Sequence, residues 1–249
     1  MESTIKRCER QYAIAFESIH VFTRDCLQSL GRKRREREHE GRVLIASQRN
    51  ESISQDVEEL GRVANKESLT SADRQRYLEL LETVYRRLPT SPLEFEDSMV
   101  VAPEREGRML AGRLGWLPVG RNVHPDAKRM WWEGGLLVGL SALPELACER
   151  FSRVAIVDGA IASGATIMAL ISEVVTKGGS VEVFSVHAAP EGVRSVMSLA
   201  DGAGIGVRIV VGHVSGRLDA KYYAVNEAAQ KSYVVGDLGD TIGPLDTIQ

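Results

Sequence analysis

Apolar positions recur along this chain with two different periods, and the switches between them mark its elements. Residues 3–30 read as one helix, with Ile5, Tyr12, Phe16, Ile19 and Phe22 at steps of three, four or seven. Residues 41–68 hold a short apolar run, Val43 to Ala46, followed by Val57, Leu60 and Val63 at helical steps. A clearer helix opens at Thr70-Ser71-Ala72-Asp73, where Ser71 is the expected cap. Its apolar stripe is Tyr77, Leu80, Leu81, Val84, Tyr85 and Leu88, and Pro89 to Pro92 end it. From Met99 onward short apolar runs alternate with helical patterns. Met99–Ala102 reads as a strand, 103–108 as a loop, 109–114 as a short helix and 116–119 as a second strand. Residues 122–132 read as a loop or hairpin able to cover a site, and the apolar stretch 134–143 either pairs with it or packs below it.

The run Val154-Ala155-Ile156-Val157 is a strand buried on both faces. Small residues follow it, and then a helix over 166–177 with Ile167, Leu170, Ile171 and Val174 on one stripe. Gly178-Gly179 is a turn, 181–187 a strand, 190–199 a helix and 207–211 another strand. Repeated strand–helix units of this length predict an α/β fold, a mainly parallel sheet flanked by helices, preceded by a helical N-terminal region. The expected division is a helical extension over residues 1–68 and an α/β domain over 69–249.

Composition narrows the function classes. The chain has 249 residues and a formal net charge of -3, which gives no global basic field for nucleic acid. The cluster Arg32-Lys33-Arg34-Arg35 is followed at once by acids and reads as a solvated face. No apolar run approaches the roughly 20 residues that span a bilayer. The first eight residues contain no signal-like apolar stretch, and the three cysteines are widely spaced, so a cytoplasmic protein with reduced thiols is expected. The five histidines show no metal-ligand spacing, and no protein metal site is expected. No Walker-type loop, dinucleotide fingerprint or nucleophile elbow occurs.

One candidate site remains. Asp158 stands at a strand end, and Gly159-Ala160-Ile161-Ala162-Ser163-Gly164-Ala165-Thr166 leads into a helix N-terminus. Exposed backbone N–H groups, the helix dipole and the Ser163 and Thr166 hydroxyls all favour an anion there. Capping of the helix is a compatible structural role for the two hydroxyls, and capping of its own loop is the structural alternative for Asp158.

This stretch resembles the phosphoribosyl-diphosphate (PRPP) loop of type I phosphoribosyltransferases, and within them the Asp-Pro-Met-Leu-Ala-Thr-Gly-Gly of uracil phosphoribosyltransferases. Two further segments resemble that family in order and spacing. Ala188-Ala189-Pro190-Glu191-Gly192 is similar to its Ala-Ala-Pro-Glu-Gly, and Tyr233-Val234-Val235-Gly236-Asp237-Leu238-Gly239-Asp240 to its Tyr-Ile-Val-Pro-Gly-Leu-Gly-Asp. Arg105-Glu106-Gly107 is a weaker match to its Arg-Ala-Gly diphosphate loop.

The resemblance implies transfer of ribose 5-phosphate from PRPP to uracil or a related base, with release of diphosphate. It implies that Asp158 and residues 159–166 hold the ribose and its 5-phosphate. Arg105, Gly107 and Arg108 would hold diphosphate, residues 233–240 the base, and Asp158, Arg105 and Asp240 would carry the catalytic roles. It further implies magnesium carried by PRPP, and a dimer or larger assembly. Glu106 puts a negative charge beside the expected diphosphate, Ala165 adds a methyl group to the phosphate cradle, and Asp237 adds a carboxylate beside the base. These departures support an alternative, a non-catalytic PRPP- or nucleotide-binding regulator that has kept the phosphate loop.

Overall fold

The computed structural model describes residue 6 and residues 16–32, 41–64, 69–88, 99–103, 106–113, 121–132, 134–141, 151–214, 216–218, 222, 224–226 and 233–234. In chain order the elements begin with strand β1 (Ser18–Thr23), helix α1 (Arg24–Arg32), β2 (Val43–Ile45), α2 (Ser52–Ala64) and α3 (Ser71–Arg86). They continue with β3 (Met99–Val101), α4 (Glu106–Arg113), β4 (Arg121–Val123), β5 (Asp126–Trp132), β6 (Gly135–Ser141) and β7 (Phe151–Val157). The remainder is β8 (Ala160–Ile161), α5 (Ala165–Val174), β9 (Val175–Ala188), α6 (Pro190–Ala203), β10 (Gly206–Val214), β11 (Arg217–Leu218), β12 (Ala224–Asn226) and β13 (Tyr233–Val234).

The central sheet runs β2-β10-β9-β7-β3-β4, with β8 beside β9, and each of its pairings is parallel. The period of two along its strands sorts side chains between two cores. Met99, Val101, Val154, Ile156, Val181, Val183, Ile209 and Val211 face one layer, which contains α1, α5 and α6. Val100, Ala102, Ala155, Val157, Phe184, Val186 and Val210 face the other, which contains α2, α3 and α4. Burial on both faces is why these strands read as continuous apolar runs. Residues 41–64, which the sequence places in the N-terminal extension, supply edge strand β2 and helix α2 to this α/β body.

The first predicted helix is corrected over its described part. Residues 18–23 form a strand, whereas Lys6 and Arg24–Arg32 are helical. Ile19, Val21 and Thr23 are β-branched and alternate with Ser18, His20 and Phe22, and pairing with β6 outweighs the helical spacing. Strands β1, β6 and β5 make a separate antiparallel sheet, so 126–132 and 135–141 are the hairpin form of the two expected alternatives. The helix expected over 109–114 starts earlier, at Glu106, and the loop expected through Arg108 is its first turn. The helix expected to reach Lys177 stops at Val174, where β-branched Val175 and Thr176 enter β9; Gly178, with φ +79°, lies within that strand rather than in a free turn. The strand expected over 116–119 lies outside the described residues.

Helix α3 is capped by Thr70, not Ser71. The Thr70 side chain accepts from the Asp73 backbone N–H at 3.1 Å, and the Asp73 carboxylate accepts from the Thr70 N–H at 3.0 Å. This reciprocal box needs an acid three residues after the cap, which Thr70 has and Ser71 lacks.

Candidate functional site

Chain order turns around at β3. The connection to β4 moves outward in one direction, whereas β7, β9 and β10 build the sheet in the other. The carboxyl ends of β3 and β7 therefore flank a topological switch point, where open parallel sheets place their ligand crevice. Asp158 is the first residue beyond β7. Asp158 and residues 160–167, with Arg129 of β5, line a cleft open to solvent.

The Asp158 backbone is pinned by two elements, strand β9 and helix α3. Its N–H donates to Phe184 O at 3.0 Å, and its carbonyl accepts from the hydroxyl of buried Tyr85 on α3 at 2.9 Å. Its carboxylate accepts the Gly159 N–H at 2.9 Å, so it caps its own loop while it lines the cleft. The next carbonyl, Gly159 O, accepts from Val186 N at 3.1 Å and lies 3.0 Å from the buried Ser185 hydroxyl.

Residues 160–164 then turn into α5 under tight steric control. Gly164 sits at φ +79°, and a Cβ there would lie 2.8 Å from Gly192 O. A Cβ on Gly192 would lie 2.0 Å from Ala162 O, so the loop rests directly on the first turn of α6. Ala165 is 1% exposed and packs in the core, and it also contributes to the lining of the cleft.

The N-terminus of α5 is left open. It has no side-chain cap. Ser163, itself buried, accepts from the Ala165 N–H at 3.3 Å, and its hydroxyl proton has no acceptor among the described residues. The backbone N–H groups of Thr166 and Ile167 and the Thr166 hydroxyl make no hydrogen bond among the described residues either. These donors converge on a concave surface at the positive end of a ten-residue helix, an arrangement suited to a phosphate or carboxylate.

The other predicted residues are placed less uniformly. Gly107 reaches the switch point: a Cβ there would lie 2.4 Å from Val157 O, so its role in the fold is close packing beneath Asp158. Arg108 is exposed and does not line the cleft; its N–H closes onto Pro103 O at 3.0 Å. Tyr233 and Val234 form β13 in a small antiparallel sheet with β12 and β11. Arg105, Val235, Gly236, Asp237, Leu238, Gly239 and Asp240 lie outside the described residues. Sequence reading missed Tyr85, Ser185 and the contact of Gly192 with the loop. Their sequence signals are one of two tyrosines on a stripe otherwise aliphatic, a serine inside a buried strand and the glycine that ends the Ala188–Gly192 segment.

Further along the same edge, His187 of β9 stands opposite His213 of β10, with ring centroids 6.4 Å apart. His213 Nδ1 lies 2.9 Å from the Ser47 hydroxyl, and burial holds its imidazole below the ordinary range, partly offset by Glu58. Below, within the sheet, burial raises the Glu182 carboxyl despite the Arg208 guanidinium at 2.7 Å. Among the described residues no group of three or more His, Cys, Asp or Glu gathers as metal ligands. No described helix is long and apolar enough to cross a membrane.

No protein-family model and no curated protein matches the chain. Among solved structures it is similar to the AQ2163 protein from Aquifex aeolicus, at 22% identity over 82% of this chain and 98% of that one, with a TM-score of 0.57. The two share a fold. Adenine phosphoribosyltransferase from Rhodothermus marinus superposes more loosely, at 20% identity over 64% of this chain and 99% of that one, with a TM-score of 0.39. Orotate phosphoribosyltransferase from Aeropyrum pernix does so at 17% identity over 59% and 78%, with a TM-score of 0.37. Superposition at those two levels carries no chemical inference.

Proposed function

We propose that the chain is a phosphoribosyltransferase that joins the ribose 5-phosphate of PRPP to a nitrogenous base. The observation that carries this reading is the uncapped N-terminus of α5 behind Asp158 at the switch point, in a stretch whose sequence resembles a PRPP loop. The 5-phosphate takes the open amides of Thr166 and Ile167 and the hydroxyls of Ser163 and Thr166. The ribose hydroxyls take the Asp158 carboxylate. Arg105 and Asp240, by resemblance, serve the diphosphate and the magnesium it brings, and residues 233–240 border uracil or a related base.

In the reaction the C1–O bond breaks with its electron pair leaving on diphosphate. The base nitrogen forms the new bond to C1, and its proton is released. The sugar becomes cation-like as the bond breaks, so the protein's task is to position the ribose, neutralise the leaving group and exclude water. No protein nucleophile is needed. The resemblance also implies a dimer or larger assembly.

A second reading, a PRPP- or nucleotide-binding regulator without turnover, draws support from Arg108. That residue is exposed, and its segment is helix where the resemblance expects a diphosphate loop. Isotope-labelled PRPP incubated with a panel of purine, pyrimidine and other heterocyclic bases separates the two. The transferase yields labelled nucleotide and free diphosphate. PRPP binding with no product from any base refutes turnover and leaves the regulator, whereas absence of binding to PRPP and to nucleotides refutes both.

A further inference from the structure

The antiparallel sheet formed by β1, β6 and β5 carries a cation where its pattern calls for an apolar residue. Along β5 the side chains alternate between two faces. Met130 belongs to the outer cluster with Leu137, Phe16 and Ile19, and Lys128 pairs with Asp126 at 2.9 Å on that same outer face. Ala127 and Trp131 face inward and pack on the main core. Arg129 lies between them on the inner face, and among the described residues it is the one basic residue lining the cleft of Asp158 and residues 160–167.

The strand that carries Arg129 is docked, not hanging free. Arg129 is in register with Val138 of β6, and Val138 with His20 of β1. His20 and Ser18 both bond the Glu173 carboxylate of α5, at 2.9 and 2.6 Å. Leu136, Val138 and Leu140 share the core with Ile167, Ala169 and Leu170 of the same helix. The helix whose N-terminus opens into the cleft is thus also the support for the strand that brings the guanidinium there.

Charge balance gives that cation a purpose. A phosphomonoester carries about -1.5 to -2 at neutral pH. The helix end supplies roughly half a positive charge, and Asp158 in the same cleft supplies a full negative one. Among the described residues the lining without Arg129 is net negative; with it the lining becomes net positive, and a planar fork matched to phosphate oxygens is present.

We propose that Arg129 is a fixed binding residue for the 5-phosphate, reaching it from the antiparallel sheet. This rests on the phosphoribosyl reading above. The test measures affinity of the full chain and its R129Q and R129K variants for ribose 5-phosphate and for inorganic diphosphate, by calorimetry at two salt concentrations. R129Q is expected to weaken ribose 5-phosphate at least 10-fold and flatten its salt dependence, to leave diphosphate within about 2-fold, and R129K to fall between. If R129Q does not fold, the loss in R129K relative to the wild type, larger for ribose 5-phosphate than for diphosphate, carries the same expectation. Unchanged ribose 5-phosphate affinity in both variants, or a loss confined to diphosphate, overturns the assignment of Arg129 while the phosphoribosyl reading stands. A wild-type chain that binds neither ribose 5-phosphate nor PRPP overturns both.

Discussion

Two helix N-termini in this protein meet the same chemical problem in opposite ways. The first turn of α3 has its donors closed by the Thr70–Asp73 box. The first turn of α5 has a left-handed Gly164 as its cap, a side chain on the Ala165 amide but none on those of Thr166 and Ile167, and a serine hydroxyl with no acceptor for its proton among the described residues. Closing an exposed helix end gains about 1 kcal/mol. The α5 terminus forgoes that gain at the carboxyl ends of β7 and β3, and holds its loop through neighbours instead: Tyr85, Ser185 and Gly192 fix the backbone from outside. The contrast separates a terminus closed by its own side chains from one whose donors stay open.

The strongest way to break the contrast is to move the loop. Gly192→Ala places a Cβ 2.0 Å from Ala162 O. We expect a cost of about 3 kcal/mol, a fall in Tm of roughly 6–12 °C, and loss of ribose 5-phosphate binding. Retention of both would show that the loop does not depend on α6. Removing one anchor is milder. Tyr85→Phe leaves the Asp158 carbonyl without its buried donor, and we expect about 1–2 kcal/mol in denaturant unfolding together with weaker ligand binding.

The two termini are then compared directly. Ser163→Ala is expected to weaken ribose 5-phosphate about 10-fold, near 1.4 kcal/mol, with little change in Tm. Thr70→Ala is expected to do the reverse, costing about 1 kcal/mol, or roughly 2–4 °C, with ligand affinity unchanged. If both substitutions moved stability alone, the α5 terminus would be an ordinary cap.

The smallest expected effect lies away from both termini. Burial depresses the His213 imidazole in the folded state below its ordinary value of 6.5. The unfolded chain therefore binds the proton first. The contribution of His213 to stability is complete above about pH 6.5 and is lost as pH falls through the lower folded value. Thermal unfolding between pH 5 and 8 should show this decline, and His213→Gln should flatten it without altering ligand affinity at neutral pH.

How much of this was legible in the sequence differs by element. The buried run Val154–Val157, the small-residue loop and the following helix could be read directly, because burial on both faces removes polar residues and a tight turn demands glycine. The strand at Ser18–Thr23 was not legible as one. Its partner β6 lies more than a hundred residues away, and only that pairing outweighs local helical spacing. The start of α4 was displaced for a related reason: Gly107 weakens a helix locally but is required where α4 presses on Val157.

The sequence by itself determined the α/β class, the two-sided burial of the central strands and the position of Asp158 before a small-residue loop that opens a helix, since each follows from local periodicity and turn chemistry. Tertiary structure alone decided which donors of that loop stay open, which neighbours hold it, and that Arg129 joins it from another sheet. Those are relations between segments distant in the chain. They arise from packing and strand register, neither of which any local stretch of residues encodes.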